Sequence, residues 1–336
     1  MVQEEIQERT ELRTTRNLVS NSSSWISRNL KFLFLPKYRL NQLKPDIINK
    51  MDYIKKRHNR NWLKSPLTIV GIVIISIIVS IAVFDSWIAP YSYKDAAFAY
   101  FIDDWWKPPS HRHPLGTGLA GQDILSRIIY GTRYSLIIAF TAVSISLVFG
   151  IALGMVSGYY GGWVDTFIMR IIDIILAFPG LVFAMAILAI WQSSIEKMII
   201  ILGIIGIPYY ARLMRSSVMK TKEFEYISAA KVVGASNQRI MFRHILPNSF
   251  DPILISISFD IGRLIISIAI LSFLGFGDYR YILWGDRIID AAYNMWNAPW
   301  ASFWPSAMII TTALGFMLLG DGLRDALDPR YQYKSI

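Results

Sequence analysis

Polar residues dominate the first 66 positions of this chain. Beyond them, long apolar runs alternate with shorter polar stretches. The clearest run, "LTIVGIVIISIIVSIAVFDSWI" over 67–88, meets the roughly 20 apolar residues that a helix needs to cross a hydrocarbon core. Further runs at 134–157, 163–190, 198–219, 250–275 and 303–320 predict six spans in all. The runs are continuous, which selects helices, because barrel strands alternate apolar and polar positions. The expected fold is therefore an all-α polytopic membrane protein with about six transmembrane helices. The first span starts well inside the chain, so 67–88 is expected to be a retained helix and not a cleaved signal. In the third run, Pro179 and Gly180 of "LAFPG" are expected to kink the helix.

The segments between the runs carry their own patterns. "DILSRIIYG" places Ile124, Leu125, Ile128 and Ile129 on one helical face, which predicts a separate helix lying on the membrane surface. "GYYGGWVD" (158–165) suits a tight turn at the interface. The segment after the fifth run carries Tyr279, Tyr281, Trp284, Tyr293, Trp296 and Trp300. It reads either as an interfacial aromatic belt or as a docking surface.

Charge orients the chain. Lys and Arg number 14 in 1–66, 7 in 211–249 and 3 in 321–336, against 5 in 89–133, 1 in 191–197 and 2 in 276–302. Both termini are therefore expected to be cytoplasmic. The implied organisation is a basic cytoplasmic region over 1–66, a transmembrane domain over 67–320 and a cytoplasmic tail over 321–336. The transmembrane domain has an external segment near 89–133 and a cytoplasmic loop near 220–248. The formal charge of +10 is mostly N-terminal. It implies attraction to anionic lipid, and no base-reading motif accompanies it to suggest nucleic acid. The chain has no cysteine, which excludes disulfides and thiol chemistry.

Candidate chemistry is sparse. "HRHPLGTGLAGQD" (111–123) contains Gly116-x-Gly118-x-x-Gly121. A dinucleotide turn must follow a strand, whereas this one follows "KPPSHRHP". His111 and His113 do not complete a metal shell, so a solvated loop is expected and no metal is assigned. A membrane-bound enzyme would need clustered ligands at depth, and none of the four histidines lies in a span. An ion-coupled transporter often shows paired halves with broken helices, and neither half here repeats the other. No GxxxxGK[ST] phosphate loop is present, so ATP is not expected on this chain. Charges do occur inside spans. Arg170 with Asp173, and Asp260 with Arg263, stand at i, i+3 and are expected to form intrahelical ion pairs or to line a translocation path.

The most informative stretch is "EFEYISAAKVVGASNQRIMFRHILPN" (223–248). Its spacing predicts a helix over 223–233, a terminator at Gly234 and a second short helix capped by Ser236 and running to about His244. Pro247 then marks the approach to the fifth span. Small residues at the turn allow another backbone to come close, so the stretch reads as a contact element. Here Ser228-Ala229-Ala230, Gly234, His244, Leu246 and Pro247 stand at the spacing of a signature loop, Glu-Ala-Ala, three residues, Gly, nine residues, Ile-x-Leu-Pro. This resembles the permease subunits of ATP-binding-cassette (ABC) importers, with Ser228 in place of Glu and His244 in place of Ile. "RHILPN" is similar to the dipeptide/oligopeptide/nickel branch, as are 113–136, 158–180 and 318–330. Gly118 and Gln122 depart from that branch's usual external motif, and the last two stretches resemble the second permease of its pair.

The resemblance implies a type I importer permease fold and no catalysis on this chain. It also implies two ATPase subunits carrying ATP and Mg, a second permease, and an extracytoplasmic solute-binding protein. It further implies a plasma-membrane location. The loop would dock on an ATPase through Glu223, Glu225, Ser228, Ala229, Ala230, Gly234, Ala235, Ser236, Arg239, Arg243, Leu246 and Pro247. Cargo is expected to be di- or oligopeptide, with oligosaccharide and nickel as the alternatives.

Overall fold

The computed structural model describes residues 66–98 and 100–327. The basic region expected over 1–66 therefore lies outside the described residues apart from Pro66, as does the tail beyond residue 327.

Eight helices organise the described chain. They are α1 (Pro66–Val83), α2 (Ile124–Tyr160), α3 (Gly162–Leu176), α4 (Gly180–Trp191), α5 (Ile195–Lys222), α6 (Glu225–Val232), α7 (Asp251–Leu271) and α8 (Pro299–Leu327). Five of them (α1, α2, α5, α7 and α8) are long and apolar enough to cross a membrane, and α3 with α4 makes up to a sixth, bent by 77° as in a broken span or a re-entrant pair. The end of the bundle carrying α6 is called the lower end here. The opposite end, carrying 100–123 and 277–298, is the upper end.

One contact organises the bundle: α2 lies along α5 with almost no space between the backbones. Gly150, Gly154 and Gly158 repeat every four residues and so share one stripe of α2. A Cβ on Gly150 would stand 3.0 Å from the Ile207 carbonyl oxygen. One on Gly154 would stand 2.8 Å from the Met214 Cβ, and one on Gly158 2.9 Å from the Arg215 carbonyl oxygen. The fit is reciprocal higher up, where a Cβ on Gly203 of α5 would meet Ile145 at 2.8 Å. The Ser146 hydroxyl, also on α2, donates to the Gly203 carbonyl at 2.7 Å. Lipid offers apolar surface as good as any side chain, so helices in a membrane associate through such close backbone packing. A second small-residue contact joins α1 to α8, where Gly71 faces Gly315 and Leu319, and Gly322 faces Thr68.

Two expectations from the sequence are corrected. The apolar face of 124–131 is not a separate surface helix, because α2 runs unbroken from Ile124 for 37 residues, about 55 Å. Ile124 and Ile128 are buried against Ala291, Ala298 and Ala301. Gly131 does not interrupt the helix; it gives the Trp284 ring room to lie against it. The third span is not merely kinked. Its two halves meet at 77° across 177–179.

The upper end is stitched to α2. Asp123 caps the helix, accepting from the Ser126 N–H at 2.8 Å and from the Ser126 hydroxyl at 2.7 Å. His113 is buried, with Nδ1 3.0 Å from the Asp123 carboxylate and its ring stacked on Tyr91. It is a structural partner of the cap, and not part of the solvated loop expected from the sequence. Gly116 and Gly121 take positive φ of 80° and 72°, and the glycine pattern folds as a compact loop instead of a dinucleotide turn. Two of the six aromatics expected as a belt or docking surface serve as pins. Trp284 Nε1 donates to the Ile128 carbonyl at 3.0 Å, and Trp300 Nε1 to the Thr117 carbonyl at 3.2 Å. Tyr279, Tyr293 and Trp296 are fully outward.

Arg127 is enclosed there and donates to the Ala96 carbonyl and the Gln122 side chain, each at 2.8 Å, with Asp286 3.8 Å away. Burial pushes the Asp286 carboxyl up to about 6, while the Arg127 guanidinium and the Leu283 N–H pull it down.

Gly154→Leu should abolish the α2–α5 fit and sharply lower the yield of monodisperse protein on size-exclusion chromatography. Overpacking alone costs about 1–3 kcal/mol. Gly118→Ala, where a Cβ meets nothing within 4 Å, should behave as wild type. A carboxyl whose folded pKa is raised binds its proton more tightly in the folded state. The Asp286 contribution to stability therefore falls as pH rises through about 6. The apparent Tm of the detergent-solubilised protein should include a step, lower at pH 7.5 than at pH 5, that Asp286→Asn removes.

Candidate docking loop and intramembrane charges

The loop after α5 folds as a two-sided plate. Lys220 and Lys222 close the last turn of α5, where cations complement the helix dipole. After α6, Val233 caps the helix and Gly234 turns the chain with φ +83°, a conformation that costs glycine nothing. The Gly234 N–H reaches the Lys231 carbonyl at 3.0 Å and the Ala235 N–H reaches the Ala230 carbonyl at 3.1 Å. The Ser236 hydroxyl accepts from the Arg239 N–H at 3.3 Å and starts the second helical piece. That piece continues through a wider, π-type turn over Ile240–Ile245 to Asn248. It runs past His244, where the sequence pattern had placed its end.

The inner side of the plate is apolar and complete. Ile227, Ile240 and Ile245 are fully buried with Met214 and Val218 of α5 and Ile253 of α7. The outer side presents Glu223, Glu225, Ser228, Ala229, Gly234, Ser236, Arg239, Arg243 and Pro247, with Ala230, Ala235 and Leu246 half-buried between them. Val232 and Val233, beside the turn, are 89% and 86% exposed. Two large aliphatic side chains with no cover at a glycine turn mark a surface that another protein can close over.

The plate is fastened to the bundle by groups that sequence reading missed. The Tyr159 hydroxyl on α2 bonds the Asn237 side chain at 2.7 Å. The Lys222 ammonium donates to the Tyr159 carbonyl at 2.5 Å, and the Lys222 and Lys231 ammoniums both lie over the Tyr159 ring. Close by, Arg215 of α5 grips Asp165 of α3 with Nε and Nη2 at 2.5 and 2.6 Å, and the Ser157 hydroxyl donates to the same carboxylate. Asp165 in the first turn of α3 was a visible helix-start signal, but its partner 50 residues away was not.

The four charges singled out within the spans divide. Asp260 and Arg263 form the expected i, i+3 pair at 3.0 Å. Arg170 and Asp173 do not pair with each other. Asp173 instead crosses to Arg212 of α5 at 2.6 Å, and Arg170 makes no ion pair among the described residues. Arg212 reaches Asp173 from the facing helix α5. The two pairs lie side by side. The Arg263 guanidinium sits 5.9 Å over the ring of Tyr209, one turn above Arg212, and the Tyr209 hydroxyl bonds Ser256 at 3.1 Å. Charged side chains at the centre of a lipid-facing helix cost about 2.5–3.5 kcal/mol each on insertion scales, which favours their placement away from lipid.

Residues 150–333 match the family described as binding-protein-dependent transport system inner membrane component. Residues 57–109 match the N-terminal transmembrane domain of oligopeptide transport permease C. The dipeptide transport system permease protein DppC of Alkalihalophilus pseudofirmus is 42% identical over 268 residues, 80% of this chain and 87% of that protein. The glutathione transport system permease protein GsiD of Pectobacterium atrosepticum is 39% identical over 272 residues, 81% and 89% of the two chains. DppC of Haemophilus influenzae is 37% identical over 265 residues, 78% and 90%. With its all-helical, multi-pass fold, the chain belongs to the binding-protein-dependent transport family, as a type I permease subunit of an ABC importer in the dipeptide and oligopeptide branch.

Proposed function

We propose that this permease forms half of a translocation pathway for di- and oligopeptides and is driven by separate ATPase subunits that dock on the 223–247 loop. The observation that carries the reading is the two-sided plate. Its inner face is sealed on α5 and α7, while Val232, Val233 and Gly234 stand uncovered at its outer edge. The peptide cargo is supported by the relatives, two dipeptide permeases and a glutathione permease. The oligosaccharide and nickel alternatives have no comparable support among them.

In this reading the lower end is cytoplasmic, in keeping with the seven Lys and Arg of 211–249, and both termini are cytoplasmic. The chain divides into a basic N-terminal region, a permease domain and a short tail, and sits in the plasma membrane. It is non-catalytic: ATP and Mg are held by two partner ATPases. A different permease completes the pathway, and a solute-binding protein delivers peptide at the upper face. ATP-driven closure of the ATPases displaces the loop. Tyr159 and the Arg215–Asp165 grip pass that displacement to α2 and α3. Coupling follows because the ATPases bind one conformation of the permease better than the other. Glu225, one turn before Ser228 on α6, and Glu223, just ahead of that helix, are both exposed and supply the acid that Ser228 lacks.

Gly234→Asp together with Val233→Asp should leave the complex assembled and hydrolysing ATP while peptide uptake falls by an order of magnitude or more. Uptake equal to wild type at equal expression would overturn the docking assignment. A complex captured on a tag fused to this chain should contain ATPase subunits and a second, different permease. Its ATP hydrolysis should rise when binding protein and a dipeptide pool are added. Absence of any ATPase from it would overturn the proposed function itself.

A further inference from the structure

The paired charges of α3, α5 and α7 share one height. Asp173 is 11 residues above the start of α3, Arg212 is 10 residues above the lower end of α5, and Arg263 is 12 residues above the start of α7. At 1.5 Å per residue all three lie about 15–18 Å from the lower ends of their helices, near mid-membrane. Contacts link them into one belt: Asp173 to Arg212, Arg212 along α5 to Tyr209, Tyr209 to Ser256 and Arg263, and Arg263 to Asp260. The belt faces outward. The Arg263 and Arg212 side chains are 65% and 53% exposed, and Tyr209 and Asp173 are similarly open.

Three environments could cover such a belt. Lipid is disfavoured by the guanidiniums. A dry protein interface would strip water from ion pairs whose partners satisfy only part of their hydrogen-bonding capacity. Water fits. A second observation points the same way: the break in the third span opens the backbone at 177–179, one turn above Asp173. Irregular backbone at membrane depth is tolerated where it is buried in protein or lines an aqueous cavity, and Phe178 there is exposed. The belt and the adjoining Arg170 carry three guanidiniums against two carboxylates. The surplus is positive and suits an anion.

We propose that Asp173, Tyr209, Arg212 and Arg263 line the water-filled passage facing the second permease, with Asp260 buried behind Arg263, and that Arg212 and Arg263 receive the carboxylate of the peptide in transit. The inference rests on the reading of this chain as half of a peptide permease. It deepens that reading by assigning the wall and the group it recognises. An exposed guanidinium already held by an intramolecular carboxylate can exchange partners, so the cargo is held weakly enough to leave.

The chain has no cysteine, so single cysteines report on local water without further engineering. Reporters are Tyr209→Cys and Ile266→Cys, the latter exposed and one turn above Arg263; Ile77→Cys on the apolar outside of α1 is the control. The complex is labelled in membranes with an anionic and a cationic methanethiosulfonate, and separately with a permeant maleimide, and this chain is then resolved on a gel. Both hydrophilic reagents should modify the two reporters and spare Ile77→Cys. The anionic reagent should react several-fold faster than the cationic one. Arg212→Gln with Arg263→Gln should reverse the preference toward the cationic reagent, because Arg170 alone then faces two carboxylates, and Arg→Lys at both should restore the anionic preference. A dipeptide with its binding protein and ATP should slow labelling. Reporters that react only with maleimide would place the belt in lipid, and reporters that react with nothing would place it in a dry interface. Either result overturns the proposal. Equal anionic and cationic rates with the arginines intact would overturn the carboxylate assignment. The labelling pattern is read independently of cargo stimulation of ATPase, so its failure is distinct from failure of the proposed function.

Discussion

Close backbone contact between α2 and α5 is the constraint on which the rest of the structure depends. Three glycines at four-residue spacing leave no volume between Gly154 and Ala211–Met214, so the two helices can pack in only one register. That register decides where every polar group of α5 points. It turns Arg215 toward Asp165, presents Arg212 to Asp173 and buries Tyr210 between the helices. A seam made of side chains could slip by a turn at modest cost; one made of backbone cannot, because any Cβ at these positions meets a carbonyl or another Cβ.

The same rigid pair connects the two ends of the molecule. α2 begins at the Asp123 cap, inside the upper segment that Trp284 and His113 hold in place, and ends at Tyr160, just past Tyr159, which bonds the loop. One unbroken helix, about 55 Å long, therefore joins the loop to the upper segment. The third span is built differently. It is fastened at its foot by Arg215 and broken at 177–179, and its upper half buries Ala184 and Leu188 in the core beside α5.

Among the described residues, several polar groups converge where helices are held. Asp123 holds Ser126 and His113, Asp165 accepts from Ser157 and Arg215, and the enclosed Arg127 donates to Ala96 and Gln122. In a medium where an unpaired polar group is expensive, such convergence both orients the segments and protects the groups.

Much of this was legible in the chain itself. Continuous apolar runs specify spanning helices because backbone groups in lipid must be satisfied within the helix. Gly234 and Ser236 announce the turn of the 223–248 loop because one needs positive φ and the other a cap, both local requirements. The glycine spacing at 150, 154 and 158 was equally readable, although which helix it would meet was not. Tertiary structure alone decided the pairings. Asp173 chose Arg212 over its neighbour Arg170, Ile124 and Ile128 found Ala291 and Ala298 instead of lipid, and His113 found Asp123 instead of water. Helical periodicity tells which residues share a face. What that face meets depends on how distant segments stack, and that information appears in the sequence only as the shapes that happen to fit.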